Sequence, residues 1–84
     1  MAENAPPPLK PLHPESSLLA VKLAAFERMS TAELARSLLP GTRDSLKTRP
    51  DGTIIDGQHR VCVLRRRGMD VDDLPRDVIG REDF

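Results

Sequence analysis

The tripeptide at residues 50–52, Pro-Asp-Gly, constrains the fold more than any other stretch, because it separates two segments typical of β-strands. Residues 45–49 alternate in polarity, and residues 53–56 include three β-branched or extended-favouring side chains in a row. Proline fixes the first torsion of a tight turn, and glycine accepts the positive φ that such turns require. We therefore predict a β-hairpin over residues 45–56.

Two helices are predicted on the N-terminal side of this hairpin. Ser16 or Ser17 can cap a helix that runs to about residue 29, since residues 18–29 carry apolar side chains at helical spacing. Ser30 and Glu33 then fit a capping box, in which each side chain bonds the other residue's backbone amide. The second helix is expected over residues 31–39.

The stretch after the hairpin is compatible with two structures. Asp56-Gly57 is itself a hairpin signal, and the apolar residues 61–64 could continue as a third strand. A helix over residues 58–67 fits as well, with Gly68 as its left-handed C-terminal cap. Residues 76–79 are predicted to form a short return strand.

The chain is long enough for one domain, and its composition limits what that domain can do. Residues 1–14 hold five of the eight prolines and are predicted to be a flexible arm. Residues 15–80 form the single α+β domain, and residues 81–84 a frayed C-terminus. Aromatic residues make up only 2%, so the core is aliphatic and an aromatic base-stacking platform for single-stranded nucleic acid is excluded. One cysteine excludes an internal disulfide framework and a cysteine-based zinc site.

The remaining composition indicates a cytoplasmic protein. No apolar run approaches the roughly 20 residues of a membrane span, and the N-terminus lacks the pattern of a signal peptide. The formal net charge is zero, so overall charge does not by itself indicate DNA binding.

The segment most suited to chemistry is the predicted corner between strand and helix. Gly57 permits a sharp bend, after which the first free amides of a helix and its dipole favour an anion. Gln58 can donate a hydrogen bond, His59 can donate or exchange a proton, and Arg60 can grip two phosphate oxygens. Asp56 can cap the helix, or hold Arg60 or a magnesium ion beside the phosphate.

Residues 49–60, followed by an apolar and basic helix and Gly68, resemble the core of the ParB/sulfiredoxin-like superfamily. Residues 34–38 resemble the helix that precedes this core. The resemblance implies a small domain with two N-terminal helices, a β-hairpin, a helix and a return strand. It also implies that the turn at 57–60 contacts nucleotide phosphates. Gln58 stands where sulfiredoxins carry their catalytic cysteine, so sulfinic acid reduction is not expected here.

The first functional hypothesis is therefore a nucleotide- or phosphate-binding domain that uses Gly57, Gln58, His59 and Arg60. Such a domain would act as a ligand-switched regulator or in phosphoryl transfer, with Asp56 and His59 as candidate catalytic groups. The implied cofactor is a nucleoside triphosphate with magnesium, and no other metal site is expected.

Two alternatives come from other functional classes. One is a DNA-associated ParB-like nuclease, or an accessory module in DNA modification, restriction or partition. Its expected DNA contacts are Arg43, Lys47, Arg49, Arg65, Arg66 and Arg67. The other is a non-catalytic scaffold that acts through a protein partner or as a homodimer, which would add burial to a thin core.

Overall fold

The computed structural model describes residues 7–80 as an α+β domain, which confirms the predicted fold class. Its helices and strands are, in chain order, α1 (Ala20–Glu27), α2 (Thr31–Ser37), β1 (Lys47–Thr48), β2 (Ile54–Asp56), α3 (Gln58–Arg66) and β3 (Asp77–Val78). Short 3-10 turns cover Glu15–Ser17 and Val71–Asp73. Within residues 7–80, no helix has the length and apolar character needed to cross a bilayer.

The first helix begins later than predicted. The Ser17 hydroxyl donates to the carbonyl of Pro14, so it closes a 3-10 turn instead of capping α1. Leu19 occupies the N-cap position in an extended conformation, without a side-chain cap, and α1 starts at Ala20. The predicted start at the serine pair is therefore wrong, because both serines belong to the 3-10 turn that precedes the helix.

The second helix begins as predicted. The Ser30 hydroxyl accepts the Glu33 amide at 3.1 Å, and the Glu33 carboxylate accepts the Ser30 amide at 3.0 Å, which completes the capping box. The helix ends at Ser37, two residues before the predicted end. The following residues turn back, so that the Leu46 amide bonds the carbonyl of Leu38 at 2.9 Å.

The predicted hairpin, β1 and β2, forms part of a three-stranded mixed sheet in the order β2-β1-β3, in which β1 is the central strand. Strands β1 and β2 pair antiparallel, with Thr48 opposite Ile54 and an irregularity between the two residues of β1. Strand β3 returns parallel to β1, with Val78 opposite Thr48. The β1 strand therefore lies between two partners that are separated in the chain by residues 57–76.

The stretch after the hairpin is a helix, and this excludes the alternative of a third hairpin strand. Five consecutive residues of α3, from Arg60 to Leu64, are buried, so the helix is enclosed on several sides. It packs against α1, α2 and the second 3-10 turn. Gly68 follows with a φ of +89°, as expected for a left-handed cap.

The core is aliphatic, as the composition predicted. The side chains with at most 1% exposure include Leu34 and Leu38 from α2 and its end, Leu46 beside β1, and Val61 and Leu64 from α3. Each of these side chains contributes about 1.5–3 kcal/mol through its burial. The helix α3 is therefore held by contacts with α1, α2 and the second 3-10 turn.

The part of the predicted arm that the structure describes, residues 7–14, packs against the domain. Leu9 is 6% exposed and belongs to the core. The Lys10 amide donates to Gly52 at 2.9 Å, and the Ile54 amide donates to Lys10 at 2.8 Å. The arm thus adds backbone hydrogen bonds to the outer side of β2. The remainder of the predicted arm, residues 1–6, and the predicted frayed end, residues 81–84, lie outside the described residues.

Candidate functional site

The bend at Gly57 is present and joins β2 directly to α3. Gly57 has φ +105° and ψ 7°, a left-handed conformation that disfavours residues with a Cβ atom. Its carbonyl accepts the Val61 amide at 3.0 Å, which closes the first helical turn. The amides of the three residues between them have no intrahelical acceptor, as at every helix start. The predicted strand-to-helix corner is therefore confirmed.

Asp56 does not cap this helix, which corrects one of the two roles considered for it. The N-cap position belongs to Gly57, and no side chain bonds the first amides of α3. The Asp56 carboxylate is 56% exposed and lies 4.0 Å from the Lys47 ammonium. Such an exposed pair contributes about 0–1 kcal/mol. The carboxylate is consequently free to turn towards a ligand.

The side chain of Gln58 holds the N-terminal arm. Its amide nitrogen donates to the His13 carbonyl at 2.6 Å, and its amide oxygen accepts the His13 amide at 3.3 Å. This two-bond contact ties the arm to the first residue of α3. In this conformation the amide group predicted to meet a phosphate is used within the protein.

The His59 side chain also forms a hydrogen bond within the protein, at the start of α1. Its Nε2 atom accepts the Leu19 amide at 3.1 Å, so the remaining ring proton lies on Nδ1. Burial lowers the pKa of His59 below its usual 6.5, and the charge of Lys22 lowers it further. Both effects favour the neutral ring that this hydrogen bond requires.

Arg60 differs from the three residues before it because its side chain carries a buried charge. It is 7% exposed, and it is the single charged residue in the buried class among residues 7–80. One of its terminal nitrogens donates to the Ser37 carbonyl at 3.2 Å and to the Ser37 hydroxyl at 3.1 Å. The guanidinium carbon lies 5.9 Å from the ring centre of Phe26. Within the described residues, no carboxylate lies within 4.0 Å of this guanidinium.

Arg60 lines a cavity of about 360 Å³ between the helices and the start of α3. Its other lining residues are Phe26, Met29, Ser37, Asp44 and Asp56. We call this the Arg60 cavity. The cavity combines the buried Arg60 cation with an exposed carboxylate from the loop between α2 and β1, another from the end of β2, and the apolar side chains of Phe26 and Met29. Sequence reasoning missed Asp44 and Phe26, because a loop aspartate and a helical phenylalanine carry no motif that would indicate them.

A second cavity of about 200 Å³ opens on the other side of the corner. Gly57, Gln58 and His59 line it, together with Lys22, which sequence reasoning also missed. Asp56 lines both cavities. The four residues predicted to form one phosphate cradle are thus divided, since Arg60 faces a different cavity from its three predecessors.

The arginines at the end of α3 are engaged with neighbouring groups. Arg65 lies 3.9 Å from Asp72, and Arg66 lies 3.2 Å from Glu15. Arg67 donates to three acceptors around the link between α1 and α2, the closest at 2.9 Å. It therefore holds this link in place.

The other candidate DNA contacts are in loops and in β1. The Lys47 ammonium donates to the Arg43 carbonyl at 3.0 Å, and the Arg49 side chain is exposed. The six basic residues thus differ in their surroundings, and a shared DNA surface stays a prediction. A protein partner or a homodimer likewise stays a prediction.

Two further observations concern metal and thiol chemistry. Within residues 7–80, no three histidine, cysteine or acidic side chains are grouped so that they could hold a metal by themselves. Cys62 is buried, and its thiol donates to the Glu15 carboxylate at 2.8 Å. Burial, and then this hydrogen bond, raise the pKa of Cys62 to about 11, so the thiol is protonated at neutral pH.

Comparisons of the chain with protein-family models, curated proteins and solved structures found no match.

Proposed function

We propose that this protein binds a phosphate-bearing ligand, a nucleotide accompanied by magnesium, in the Arg60 cavity. The observation that carries this proposal is the burial of the Arg60 guanidinium without a carboxylate partner among the described residues. The proposal keeps the predicted ligand class and the predicted arginine. It places the ligand on the Arg60 side of the corner, away from Gln58 and His59.

The energetic argument begins with the cost of burying a charge. Removing an ion from water costs several kcal/mol, unless an opposite charge and hydrogen bonds offset the loss. Ser37 satisfies one nitrogen of Arg60 with two neutral oxygens, and the ring of Phe26 offers a weak cation–π contact. A phosphate group would supply the missing negative charge, and the planar guanidinium can bind two of its oxygens.

The two carboxylates of the cavity explain why magnesium belongs to the proposal. Asp44 and Asp56 would repel a bare phosphate, since both are exposed carboxylates that line the same cavity. Magnesium is commonly bound by one or two carboxylates together with the phosphates of a ligand. These two side chains are therefore suited to hold the ion, and Phe26 and Met29 provide an apolar surface for a base. The ion would supply charge neutralisation between carboxylates and phosphates.

The test is a titration of the ¹⁵N-labelled full chain, followed by NMR, with ATP, CTP and their diphosphates. Each nucleotide is added with and without magnesium, and inorganic phosphate serves as the simplest probe. We expect shifts of the backbone amides of Asp44 and of residues 56–60, stronger when magnesium is present. Phosphate release measured in the same samples distinguishes an enzyme from a binding module.

Matched variants separate the proposed site from general electrostatics. Asp44→Asn and Asp56→Asn should remove the magnesium dependence, whereas Asp73→Asn, at an exposed aspartate outside the cavity, should retain it. Arg60→Lys keeps the charge and loses the planar fork, so affinity should fall by about tenfold. Absence of shifts at these amides with millimolar nucleotide and magnesium would contradict the proposal.

A further inference from the structure

A cavity of about 500 Å³ lies at the opposite end of the hairpin from the Gly57 corner, and neither α1 nor α2 contributes to it. Three prolines line it, from the arm, the hairpin turn and the segment before β3, so we call it the proline cavity. Leu74 and the half-exposed Val78 complete its apolar wall. Its volume falls within the range of about 300–1,000 Å³ that is usual for small-molecule sites.

Arg76 provides one cation in this cavity and is held in a fixed orientation. Its guanidinium donates to the carbonyls of Pro7 at 2.7 Å, Asp72 at 2.8 Å and Leu74 at 3.4 Å. Three of its five N–H groups are thereby used, and two remain for another acceptor. All three acceptors are neutral carbonyls, and burial lowers the pKa of Arg76. The charge of Asp72 acts in the opposite direction and offsets only part of this effect, so a further negative charge would stabilise the guanidinium.

Arg49 provides a second cation, and it is unengaged. Its side chain is exposed, and among residues 7–80 its guanidinium donates no hydrogen bond and belongs to no ion pair; the Arg49 backbone amide donates to the Thr53 carbonyl. Asp73 also lines the cavity. The ionised side chains that line it, Arg49, Arg76 and Asp73, together carry one positive charge. That balance suits a ligand with one negative charge and disfavours a phosphate dianion.

The floor of the cavity includes Thr48, which is 0% exposed. Within the described residues, its hydroxyl is the buried side-chain group that lacks a hydrogen-bond partner. Buried polar groups are rarely left unpaired, and each exception calls for an explanation. The Thr48 hydroxyl is too enclosed to meet a ligand directly, whereas two guanidinium groups with unused N–H donors beside an apolar wall are the features of a binding site.

We propose that the proline cavity binds a small aliphatic monocarboxylate. The carboxylate oxygens accept hydrogen bonds from Arg49 and Arg76, and the aliphatic chain lies along Pro50, Leu74 and Val78. This site is separate from the Arg60 cavity, and the two share no lining residue. The outcome of its test is therefore independent of the nucleotide proposal.

The test is an NMR titration of the ¹⁵N-labelled full chain with acetate, butanoate and hexanoate at constant ionic strength and pH. Shifts are expected at the amides of Arg49, Arg76 and Val78. Affinity should rise about fourfold for each methylene that becomes buried. Hexanamide, which has the same shape as hexanoate and no charge, should bind at least about tenfold more weakly.

Two variants complete the experiment. Arg49→Gln, at an exposed side chain, should leave the fold intact and weaken hexanoate binding by about tenfold. Arg36→Gln, at an exposed arginine of α2 outside the cavity, should bind hexanoate like the original protein. The proposal is overturned if hexanamide binds as well as hexanoate, if chain length has no effect, or if Arg49→Gln and Arg36→Gln behave alike.

Discussion

The imidazole of His59 accepts the backbone amide of Leu19, the residue that immediately precedes α1, across a distance of 3.1 Å. This bond links the beginnings of two helices, since His59 lies in the first turn of α3. It takes the place of the serine cap that the sequence suggested for α1. The start of α1 therefore depends on a side chain forty residues away.

The bond predicts that acid destabilises the protein in a defined range. The pKa of His59 is lower in the folded state than its usual value of 6.5, so folding favours the neutral ring. The unfolded chain then binds more protons, and the free energy of unfolding decreases as the pH falls below 6.5. The loss continues until the pH passes the folded-state pKa, and it can be measured by urea denaturation at a series of pH values.

His59→Gln is the control for this prediction. Glutamine retains an acceptor for the Leu19 amide and does not titrate in this range. The variant should therefore show a flatter stability profile between about pH 7 and pH 5. If the free energy of unfolding of the variant falls with pH as steeply as that of the original protein, the pH dependence comes from other titrating groups.

Replacing Gly57 with alanine should destabilise the fold more than the same change at another left-handed glycine. A Cβ atom at Gly57 would lie 3.1 Å from Leu38 Cδ2 and 3.4 Å from Leu46 Cδ1. Gly41 has a φ of +85°, with nothing within 4 Å of such an atom, so Gly41→Ala reports the backbone cost alone. We expect about 1–2 kcal/mol for Gly41→Ala and roughly 1 kcal/mol more for Gly57→Ala, measured by chemical denaturation.

Gly52→Ala should release the arm from β2. A Cβ atom there would collide with the Pro8 carbonyl, and the arm is bonded at the same place through Lys10. Hydrogen exchange of the Lys10 and Ile54 amides should accelerate, while the amides of α3 retain their protection. Gly41→Ala serves again as the matched change, and equal exchange in the two variants would contradict the packing of the arm.

Cys62 should be inert in the native protein. Because burial raises its pKa to about 11, alkylation by iodoacetamide at pH 8 should be slower than for a free thiol by roughly a hundredfold or more. Unfolding in guanidinium should restore the ordinary rate. Rapid labelling of the native chain, followed by mass spectrometry, would show that the thiol is accessible and would argue against the contact with Glu15.

Thr48→Val should stabilise the protein. Valine keeps the branched shape and removes a buried hydroxyl that has no partner within the described residues. Burial of such a group costs about 1–3 kcal/mol, so the variant should gain about 1 kcal/mol in unfolding free energy. Thr53→Val, at the less buried threonine of the hairpin, is the comparison, and a larger gain there would be inconsistent with the cost assigned to Thr48.

Local signals in the sequence were sufficient for the hairpin turn, the start of α2 and the bend at Gly57. The turn at 50–52, the capping box at Ser30 and the glycine at 57 each act through neighbouring residues, so each was predicted correctly. The choice between helix and strand after Gly57 was not settled locally. It depends on burial of α3 against both other helices, which no short pattern reveals.

The site itself was predicted only in part, because its contacts are distant in sequence. Arg60 was identified, but its position beneath Ser37 results from the packing of α2 on α3. Asp44 lies in a loop without a pattern, and its approach to Arg60 follows from the path between α2 and β1. The packing of the arm could not be predicted for the same reason, since the burial of Leu9 requires β2 to be in place.

The order β2-β1-β3 has a consequence for the way the chain is made. The hairpin can pair as soon as residue 56 has left the ribosome, whereas the other edge of β1 remains open until residues 77–79 emerge. During that interval the nascent chain exposes an unpaired strand edge, a feature that promotes association between chains. Slow translation of the segment between α3 and β3 would lengthen this vulnerable period, and fast translation would shorten it.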